Sequence, residues 1–138
     1  MEVFIGYTLR SDIRELAVTL DAWDKIDDME PVAIECPRMK FELIRRVTAE
    51  NMASGDYIVG DLGCIPTEDV VEAAKSLYEG KTGMIGKHGV RICRKSVITG
   101  WPMKATDSYD DEHVMAYELK GYKVIEWPKA LYRRMNAS

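Results

Sequence analysis

The strongest constraint on the fold is a repeated change of hydrophobic period along the first half of the chain. Short apolar runs, rich in the β-branched and aromatic residues of buried strands, alternate with longer runs whose apolar residues recur at helical spacing. The pairs are residues 2–7 and 12–25, residues 31–36 and 38–54, and residues 56–60 and the segment after Pro66. This alternation predicts an α/β fold with a mostly parallel sheet and helices packed against it.

The pattern changes from Gly80 onward. The predicted elements there are short strands at 83–86 and 90–93, a helix at 110–120, a strand at 122–127 and a final helix at 128–135. The two short strands are expected to be antiparallel additions, and Pro128 suggests the final helix because proline is favoured in a first helical turn. Gly55 is expected to form a left-handed cap at the end of the second helix.

Length and composition exclude several classes of protein. A chain of 138 residues without a linker or repeat is expected to form a single domain over 1–138. With 46% hydrophobic and 30% charged residues it is neither disordered nor fibrous. No apolar run approaches the roughly 20 residues of a membrane-spanning helix, and the first residues do not resemble a secretory signal, so we expect a cytoplasmic protein without a membrane span. The three cysteines lack C-x-x-C spacing and are expected to be reduced, without zinc.

Charge is distributed unevenly along the chain. Residues 1–70 carry 15 acidic and 7 basic side chains, whereas residues 71–138 carry 8 acidic and 12 basic ones. Residues 80–106 contain several Lys and Arg and no Asp or Glu. Such a segment is either an ordinary solvated surface or a patch that meets an anionic ligand or acceptor.

Asp61 is the first candidate site residue, because it follows the predicted strand 56–60. In an open α/β sheet, ligands bind beyond the carboxyl ends of the strands. A carboxylate there could contact a ribose hydroxyl or a metal ion. The same pattern also fits an Asp that begins a turn before a helix, so both interpretations stay open.

The second candidate is the acidic run Asp110-Asp111-Glu112, ahead of a helical pattern. Acids in the first turn of a helix interact favourably with its dipole, and Ser108 with Asp111 approximates a capping box. Crowded carboxylates also repel one another, which is one way to obtain a general base. The run therefore predicts either a helix start or a catalytic base.

The third candidate is the basic ending, where Arg133 and Arg134 follow Tyr132. Paired arginines can neutralise a diphosphate. Basic residues near the end of a chain are also commonly solvated charge, and spacing does not decide between the two.

Taken in order, these motifs resemble a known family. They are Ala53-Ser54-Gly55-Asp56-Tyr57-Ile58 with Asp61 and Pro66, Gly89-Val90-Arg91-Ile92-Cys93-Arg94-Lys95 with Gly100-Trp101, Asp110-Asp111-Glu112, Leu119-Lys120-Gly121-Tyr122-Lys123-Val124, and Trp127-Pro128-Lys129-Ala130-Leu131-Tyr132. The series spans nearly the whole chain and resembles a GT-A-type, nucleotide-sugar-dependent glycosyltransferase, inverting and family-2-like, of which this chain would be a short member. Two positions depart from the family pattern. Gly63 occupies the second acidic position of the Asp-x-Asp motif, and Arg133 stands where the family often has a metal-binding histidine.

The resemblance implies a Rossmann-like GT-A sandwich that moves a sugar from a nucleoside-diphosphate sugar to an acceptor hydroxyl. Asp110 would be the general base, with Asp111 as the alternative in the same run. The residues that would bind the donor are Thr8, Arg10, Arg45, Asp61, Arg133 and Arg134. Trp101 and Arg94 would contact the sugar or the acceptor, for which the basic segment allows an anionic group.

The resemblance also implies a divalent ion, Mg²⁺ or Mn²⁺, at Asp61. Because Gly63 and Arg133 replace two of the usual metal supports, we expect weak binding of the ion. The arginines would then carry part of the diphosphate charge.

Two other classes of function stay open. A noncatalytic module with a degenerate GT-A site could bind a nucleotide sugar, or a nucleic acid or partner through residues 80–106. Nucleotidyl transfer on a similar scaffold would need a Gly-rich phosphate loop with Lys after the first strand, where this chain has Thr8-Leu9-Arg10, so it ranks lowest. His88 and His113 are expected at the surface rather than in catalysis.

Overall fold

A computed structural model describes residues 1–98 and 109–135 of the chain. The strands in these ranges are β1 (Glu2–Tyr7), β2 (Glu30–Glu35), β3 (Tyr57–Gly60), β4 (Cys64–Pro66), β5 (Thr82–Ile85), β6 (Val90–Cys93), β7 (Lys123–Ile125) and β8 (Tyr132–Arg134). The helices are α1 (Ile13–Asp24), α2 (Phe41–Met52), α3 (Asp69–Ser76), α4 (Lys95–Ile98) and α5 (Tyr109–Leu119).

Six strands form the main sheet in the order β2-β1-β3-β6-β5-β7. β1 pairs in parallel with β2 and β3, and β5 pairs in parallel with β7. β6 lies between β3 and β5 and is antiparallel to both. Five of these strands therefore run in one direction, and the predicted mostly parallel α/β fold is confirmed. The antiparallel addition is β6 alone, inside the sheet, whereas β5 runs with the majority.

The two faces of the sheet bury separate cores, because successive strand residues point to opposite faces. Val3, Ile5 and Ile58 pack on one face with α1 and α3, which contribute Trp23 and Leu77. The other face carries a second core of strand and helix residues, namely Phe4, Tyr57, Val59 and Cys93 with Ala49 of α2 and Ala116 and Tyr117 of α5. Helices thus cover both faces, which gives a three-layer sandwich around β3.

The end of α2 differs from the sequence prediction. The helix ends at Met52, and Ala53 follows in an extended conformation with φ −62° and ψ 132°. Gly55 has no left-handed backbone conformation, so the prediction of a left-handed cap there is wrong. The turn from α2 into β3 is therefore made without a left-handed glycine at position 55.

The predicted final helix over 128–135 is also wrong. Tyr132–Arg134 instead form β8, which pairs antiparallel with β4 so that Cys64 lies opposite Arg134 and Ile65 opposite Arg133. The backbone N–H of Met135 continues the pairing with a hydrogen bond to the Gly63 carbonyl of 2.8 Å. Long-range pairing overrides the local preference that Pro128 suggested.

Cys36, Cys64 and Cys93 are free thiols and all three are buried. Among the described residues, no helix combines the length and apolar character that crossing a membrane requires.

Candidate active site

The carboxyl ends of the five co-directional strands meet at one edge of the sheet, which we call the carboxyl edge. Thr8 follows β1, Cys36 follows β2, Asp61 follows β3, Gly86 follows β5 and Glu126 follows β7. Open α/β sheets bind ligands at this edge. Candidate residues that lie far apart in the sequence are therefore gathered along one line of the fold.

Arg45 and Asp61 form an ion pair at the centre of this edge. Arg45 Nη1 lies 2.6 Å from Asp61 Oδ1, and the two side chains are 2% and 35% exposed. Arg45 reaches Asp61 from α2 by crossing β1 at Gly6, where a Cβ would lie 2.7 Å from Arg45 Cδ and 2.9 Å from Phe41 Cζ. The Arg45 guanidinium also lies over the Phe41 ring. A glycine in β1 thus makes room for a buried cation beside a half-exposed carboxylate.

A pocket of about 540 Å³ opens beside this pair at the ends of β1 and β2, and we call it the β1–β2 pocket. Its lining includes Thr8, Arg10, Glu35, Cys36 and Arg38. The Thr8 backbone N–H donates to Ser11 Oγ at 2.9 Å, and the Arg10 N–H donates to Thr8 Oγ1 at 3.2 Å, which shapes the loop after β1. The predicted residues Thr8 and Arg10 therefore share one pocket at the edge that carries Asp61.

Arg133 and Arg134 lie near the Asp61–Gly63 turn because β8 pairs with β4. The proximity of Arg134 is visible in the electrostatics of Cys64, the residue opposite it in the pairing. Burial raises the pKa of this thiol to about 11, the Asp61 charge adds to the rise, and the Arg134 and Arg45 charges oppose it. Asp61, Arg45 and Arg134 thus all lie close enough to Cys64 for their charges to act on its thiol. The Cys64 thiol itself is kept protonated and is not a nucleophile.

Glu15 is a carboxylate at this edge that the sequence motifs did not reveal. A Cβ at Gly63, whose φ is +82°, would lie 2.5 Å from Glu15 Oε1. The first turn of α1 therefore places a carboxylate where a side chain at position 63 would project. Nothing in the local sequence marks this contact, because acids are common in the first turn of any helix.

The carboxylates present do not form a closed site for a metal ion. Within residues 1–98 and 109–135, no group of three or more His, Cys, Asp or Glu side chains could hold one. Asp61, the predicted ligand, already binds Arg45. Mg²⁺ can bind through very few protein groups when it keeps its waters, so this donor set fits at most a weakly held ion.

The α2–α5 face contains an unusual set of buried basic side chains. Arg46 is 0% exposed and Arg91 4%, and His113 on α5 is 0% exposed. Burial lowers the pKa of His113 well below its usual range, and the charges of Arg46, Arg91 and Arg45 lower it further. The expectation that His113 lies at the surface is wrong, because α5 packs this side of its helix against the sheet, whereas His88 is exposed.

Asp110 and Asp111 lie in the first turn of α5, and the structure describes only their backbone. α5 packs against β5 and β7 and leads into β7 through a short turn. A helix that precedes a parallel strand in this way starts near the carboxyl edge. The electrostatic influence of Arg45 on His113, one turn along, agrees with this position.

Arg94 and Trp101 are not brought to this edge by the described structure. Arg94 follows β6 at the opposite edge, where its Nη1 donates to the Thr82 carbonyl at 3.2 Å and its guanidinium lies over the rings of Tyr78 and Tyr122. β6 runs against the other strands, so its end lies a full strand length from Asp61. Trp101 lies outside the described residues.

The basic segment 80–106 does not form one surface in its described part. Arg91 is buried in β6, and Lys95 Nζ donates to the Ala53 carbonyl. Lys81 precedes β5 at one edge of the sheet, whereas Lys87 follows it at the other. The Lys95 backbone N–H is bound by Asp56 Oδ1 at 2.8 Å, so the Asp of the Gly-Asp-Tyr-Ile motif holds the start of α4. These positions do not favour a continuous nucleic-acid surface.

A scan against models of known protein families finds no match, and neither does a search of curated protein sequences. Among solved structures, the chain is similar to the crystal structure of a glycosyltransferase involved in the glycosylation of the major capsid of PBCV-1. The TM-score is 0.60 at 12% sequence identity, and the match covers 99% of this chain and 94% of that chain. At this identity the similarity shows the fold: the chain has the mixed α/β, Rossmann-like fold of a glycosyltransferase.

Proposed function

We propose that the chain is a glycosyltransferase that moves a sugar from a nucleoside-diphosphate sugar to an acceptor hydroxyl, with inversion at the anomeric carbon. The observation that carries the proposal is the pair formed at the carboxyl edge by the buried Arg45 and the half-exposed Asp61, with Arg45 Nη1 2.6 Å from Asp61 Oδ1. The position of the pair at the carboxyl edge, where open α/β sheets bind their ligands, and the fold that the chain shares with a glycosyltransferase both support the proposal.

The donor nucleoside enters the β1–β2 pocket in this proposal. The volume of about 540 Å³ lies within the range of pockets that bury small ligands. Thr8 and Arg10 line it, so the hydroxyl of Thr8 faces the nucleoside and the charge of Arg10 attracts the phosphates. Asp61 then lies on the side of the ribose hydroxyls, which donate hydrogen bonds to the free lone pairs of its carboxylate.

The diphosphate is stabilised by arginines. As the bond between the sugar and the diphosphate breaks, negative charge grows on the leaving oxygen and must be compensated. Arg45 is buried, with its Nε and Nη2 shielded from solvent, so its positive charge acts on the diphosphate through space from beside Asp61 rather than through a direct hydrogen bond. Arg134 on β8, whose charge also acts on Cys64, adds an exposed cation near the same turn, whereas Arg133 points to the other side of the β4–β8 pair.

A divalent ion is not required for any step of this proposal. If Mg²⁺ or Mn²⁺ binds weakly at Asp61, it supplies further positive charge to the diphosphate. The metal ion would compete with Arg45 for the Asp61 carboxylate, which already forms an ion pair with the buried Arg45 guanidinium.

Asp110 is the proposed general base, with Asp111 as the alternative. It accepts the proton of the acceptor hydroxyl while that oxygen forms a bond to the anomeric carbon and the bond to the diphosphate breaks. Both residues lie in the first turn of α5, the end of the helix that faces the carboxyl edge. A helix start also favours the ionised form of an acid.

The experiment that tests the function has two stages. A thermal-shift panel of UDP-, GDP- and dTDP-sugars should identify a donor, because a ligand that binds only the folded state raises its melting temperature. Release of nucleoside diphosphate in the presence of acceptors is then measured for the wild type, Asp110→Asn and Asp111→Asn. We expect one of the two variants to lose about 10²-fold or more in transfer while it keeps donor binding.

Two results would contradict the proposal. If no nucleotide sugar stabilises the protein, the donor site is wrongly assigned. If a donor binds but neither variant changes its transfer, the base lies elsewhere, and binding without any transfer would favour the noncatalytic module.

A further inference from the structure

A second pocket opens at the carboxyl edge, on the β5–β7 side of Asp61. It has a volume of about 200 Å³ and lies between the β5–β6 turn and the segment that follows β7. We call it the hairpin pocket. The side chains on which the argument rests are Lys87, His88, Glu126, Trp127, Lys129 and Tyr132.

Glycines in the β5–β6 turn give this pocket its shape. Gly86 and Gly89 have φ of +86° and +71°, a conformation that other residues adopt only with strain. A Cβ at Gly89 would collide with the ring of Tyr132, so the bare backbone at this position lets the tyrosine lie against the turn. The pocket wall is thus built from a tight turn and an aromatic ring in direct contact.

A hydrogen bond connects the wall of the hairpin pocket to Asp61 at the centre of the candidate active site. The Asp61 backbone N–H donates to the Gly89 carbonyl at 2.7 Å. The residue that binds Arg45 therefore also holds the turn that forms the pocket wall. A ligand in the hairpin pocket would be a neighbour of a donor bound at Asp61.

The lining of the hairpin pocket combines aromatic rings with hydrogen-bond donors and acceptors. Trp127 and Tyr132 offer apolar ring surface together with polar tips. Lys87 and Lys129 can only donate hydrogen bonds, Glu126 can only accept them when ionised, and His88 can do either. The indole N–H of Trp127 is buried and has no hydrogen-bond partner in the described ranges of the chain.

This combination suits a neutral sugar ring better than an anion. A pyranose has apolar C–H faces that pack on aromatic rings and a rim of hydroxyls that both donate and accept. An anion would be repelled by Glu126, and Lys129 already has Asp69 Oδ1 4.0 Å from its Nζ. The volume of about 200 Å³ is below that of pockets for drug-sized ligands, which fits a single ring.

We infer that the hairpin pocket binds a neutral pyranose of the acceptor, so that the acceptor of the transfer is a sugar. The inference rests on the proposed function, because it makes the hairpin pocket the acceptor side of the same site. The ring lies on Trp127 and Tyr132, and its hydroxyls bond to Glu126 and Lys87. The acceptor oxygen then faces the donor across Asp61.

The test is an amide NMR titration with methyl glycosides of glucose, galactose, mannose and N-acetylglucosamine. At least one should produce saturable shifts at residues 86–89 and 126–132 and move the Trp127 indole N–H signal. Sorbitol, which has the hydroxyls without a ring, should leave these signals unchanged, and methyl glucuronide should bind more weakly than methyl glucoside. Shifts with the glucuronide alone would overturn the assignment to a neutral sugar.

Single substitutions test whether the glycoside binds in the hairpin pocket. Glu126 is exposed, so Glu126→Gln should fold normally and weaken glycoside binding about tenfold, the effect of a lost hydrogen bond to a charged group. Glu118→Gln, exposed on α5, is the matched control and should bind as the wild type does. Equal affinities of the two variants would overturn the assignment of Glu126 and of the pocket.

A parallel titration with UDP, GDP and dTDP separates this inference from the proposed function. If a nucleotide shifts residues 8–10 and 35–38 but no glycoside moves residues 86–89, the acceptor inference fails and the donor site stands. If glycosides bind and nucleotides do not, the pocket binds sugar and the proposed donor site fails.

Discussion

The side chain of Arg45 crosses β1 over Gly6, where a Cβ would lie 2.7 Å from Arg45 Cδ. This contact lets a residue of α2 reach Asp61 beyond β3, at the centre of the carboxyl edge. The geometry of the proposed donor site therefore depends on a glycine inside a buried strand, a position that is ordinarily unfavourable for sheet stability.

Gly6→Ala should lower the free energy of unfolding by about 1–3 kcal/mol, the usual cost of overpacking a core, and should weaken nucleotide-sugar binding because Arg45 must move. Urea denaturation measures the first effect and calorimetry the second. Gly55→Ala is the control, because no described atom lies within 4 Å of a Cβ at that position. Gly6→Ala with the stability and donor affinity of Gly55→Ala would show that Arg45 does not need this space.

Gly89→Ala should destabilise the protein more than Gly121→Ala does. Both glycines have positive φ, of 71° and 81°, so both substitutions strain the backbone. Only a Cβ at Gly89 meets the Tyr132 ring, whereas none of the described atoms lies within 4 Å of one at Gly121. We expect an additional loss of about 1–3 kcal/mol for Gly89→Ala. The two denaturation midpoints give the comparison, and equal losses would mean that Tyr132 does not pack on the turn.

The parts of the fold that the sequence predicts are those with a clear period. The runs that became β1, α1 and β6 are each continuous and periodic, so their type and position follow from local pattern. β4 and β8 lie in segments that show no strand pattern of their own, and they form because residues far apart in the chain pair with each other.

In the candidate site, too, features set by local pattern could be predicted and features set by long-range contacts could not. Asp61 at the end of β3 could be predicted because it depends on where a strand ends. The burial of Arg45 and the approach of Glu15 to Gly63 could not, since both are contacts between distant segments. The burial of His113 depends likewise on which side of α5 meets the sheet.

The buried His113 should lower the free energy of unfolding in mild acid. Its folded pKa lies well below the ordinary value of 6.5, because burial and three arginines oppose its charge. As the pH falls through 6.5, the unfolded chain gains a proton that the folded chain does not, so unfolding becomes easier. Between pH 7 and 5.5 this costs about 1 kcal/mol for one such histidine.

His113→Gln should remove this part of the pH dependence, as measured by urea denaturation at the two pH values. His88→Gln, at an exposed position, is the matched control and should keep the slope of the wild type. If both variants keep the wild-type slope, His113 is not the titrating group.

The three thiols should react slowly with a thiol reagent at pH 8 in the native protein. Burial raises the pKa of Cys64 to about 11 and that of Cys93 to about 12, so thiolate is scarce at both. Burial also raises the pKa of Cys36, but this residue lines the β1–β2 pocket and should be the first of the three to react. Mass spectrometry after timed labelling gives the order. A nucleotide sugar should slow the labelling of Cys36 alone, and the absence of protection would argue against a donor in this pocket.

The measurement that tests the account most directly is calorimetry of the identified nucleotide sugar in EDTA and in Mn²⁺. The comparison includes the double variant Arg133→Ala with Arg134→Ala, and Lys123→Ala at the other edge of the sheet as control. We predict similar affinities with and without the metal, a loss of about tenfold or more in the double variant, and no change in the control. An obligatory dependence on Mn²⁺, with the double variant binding as tightly as the wild type, would contradict the proposal that arginines carry the diphosphate charge.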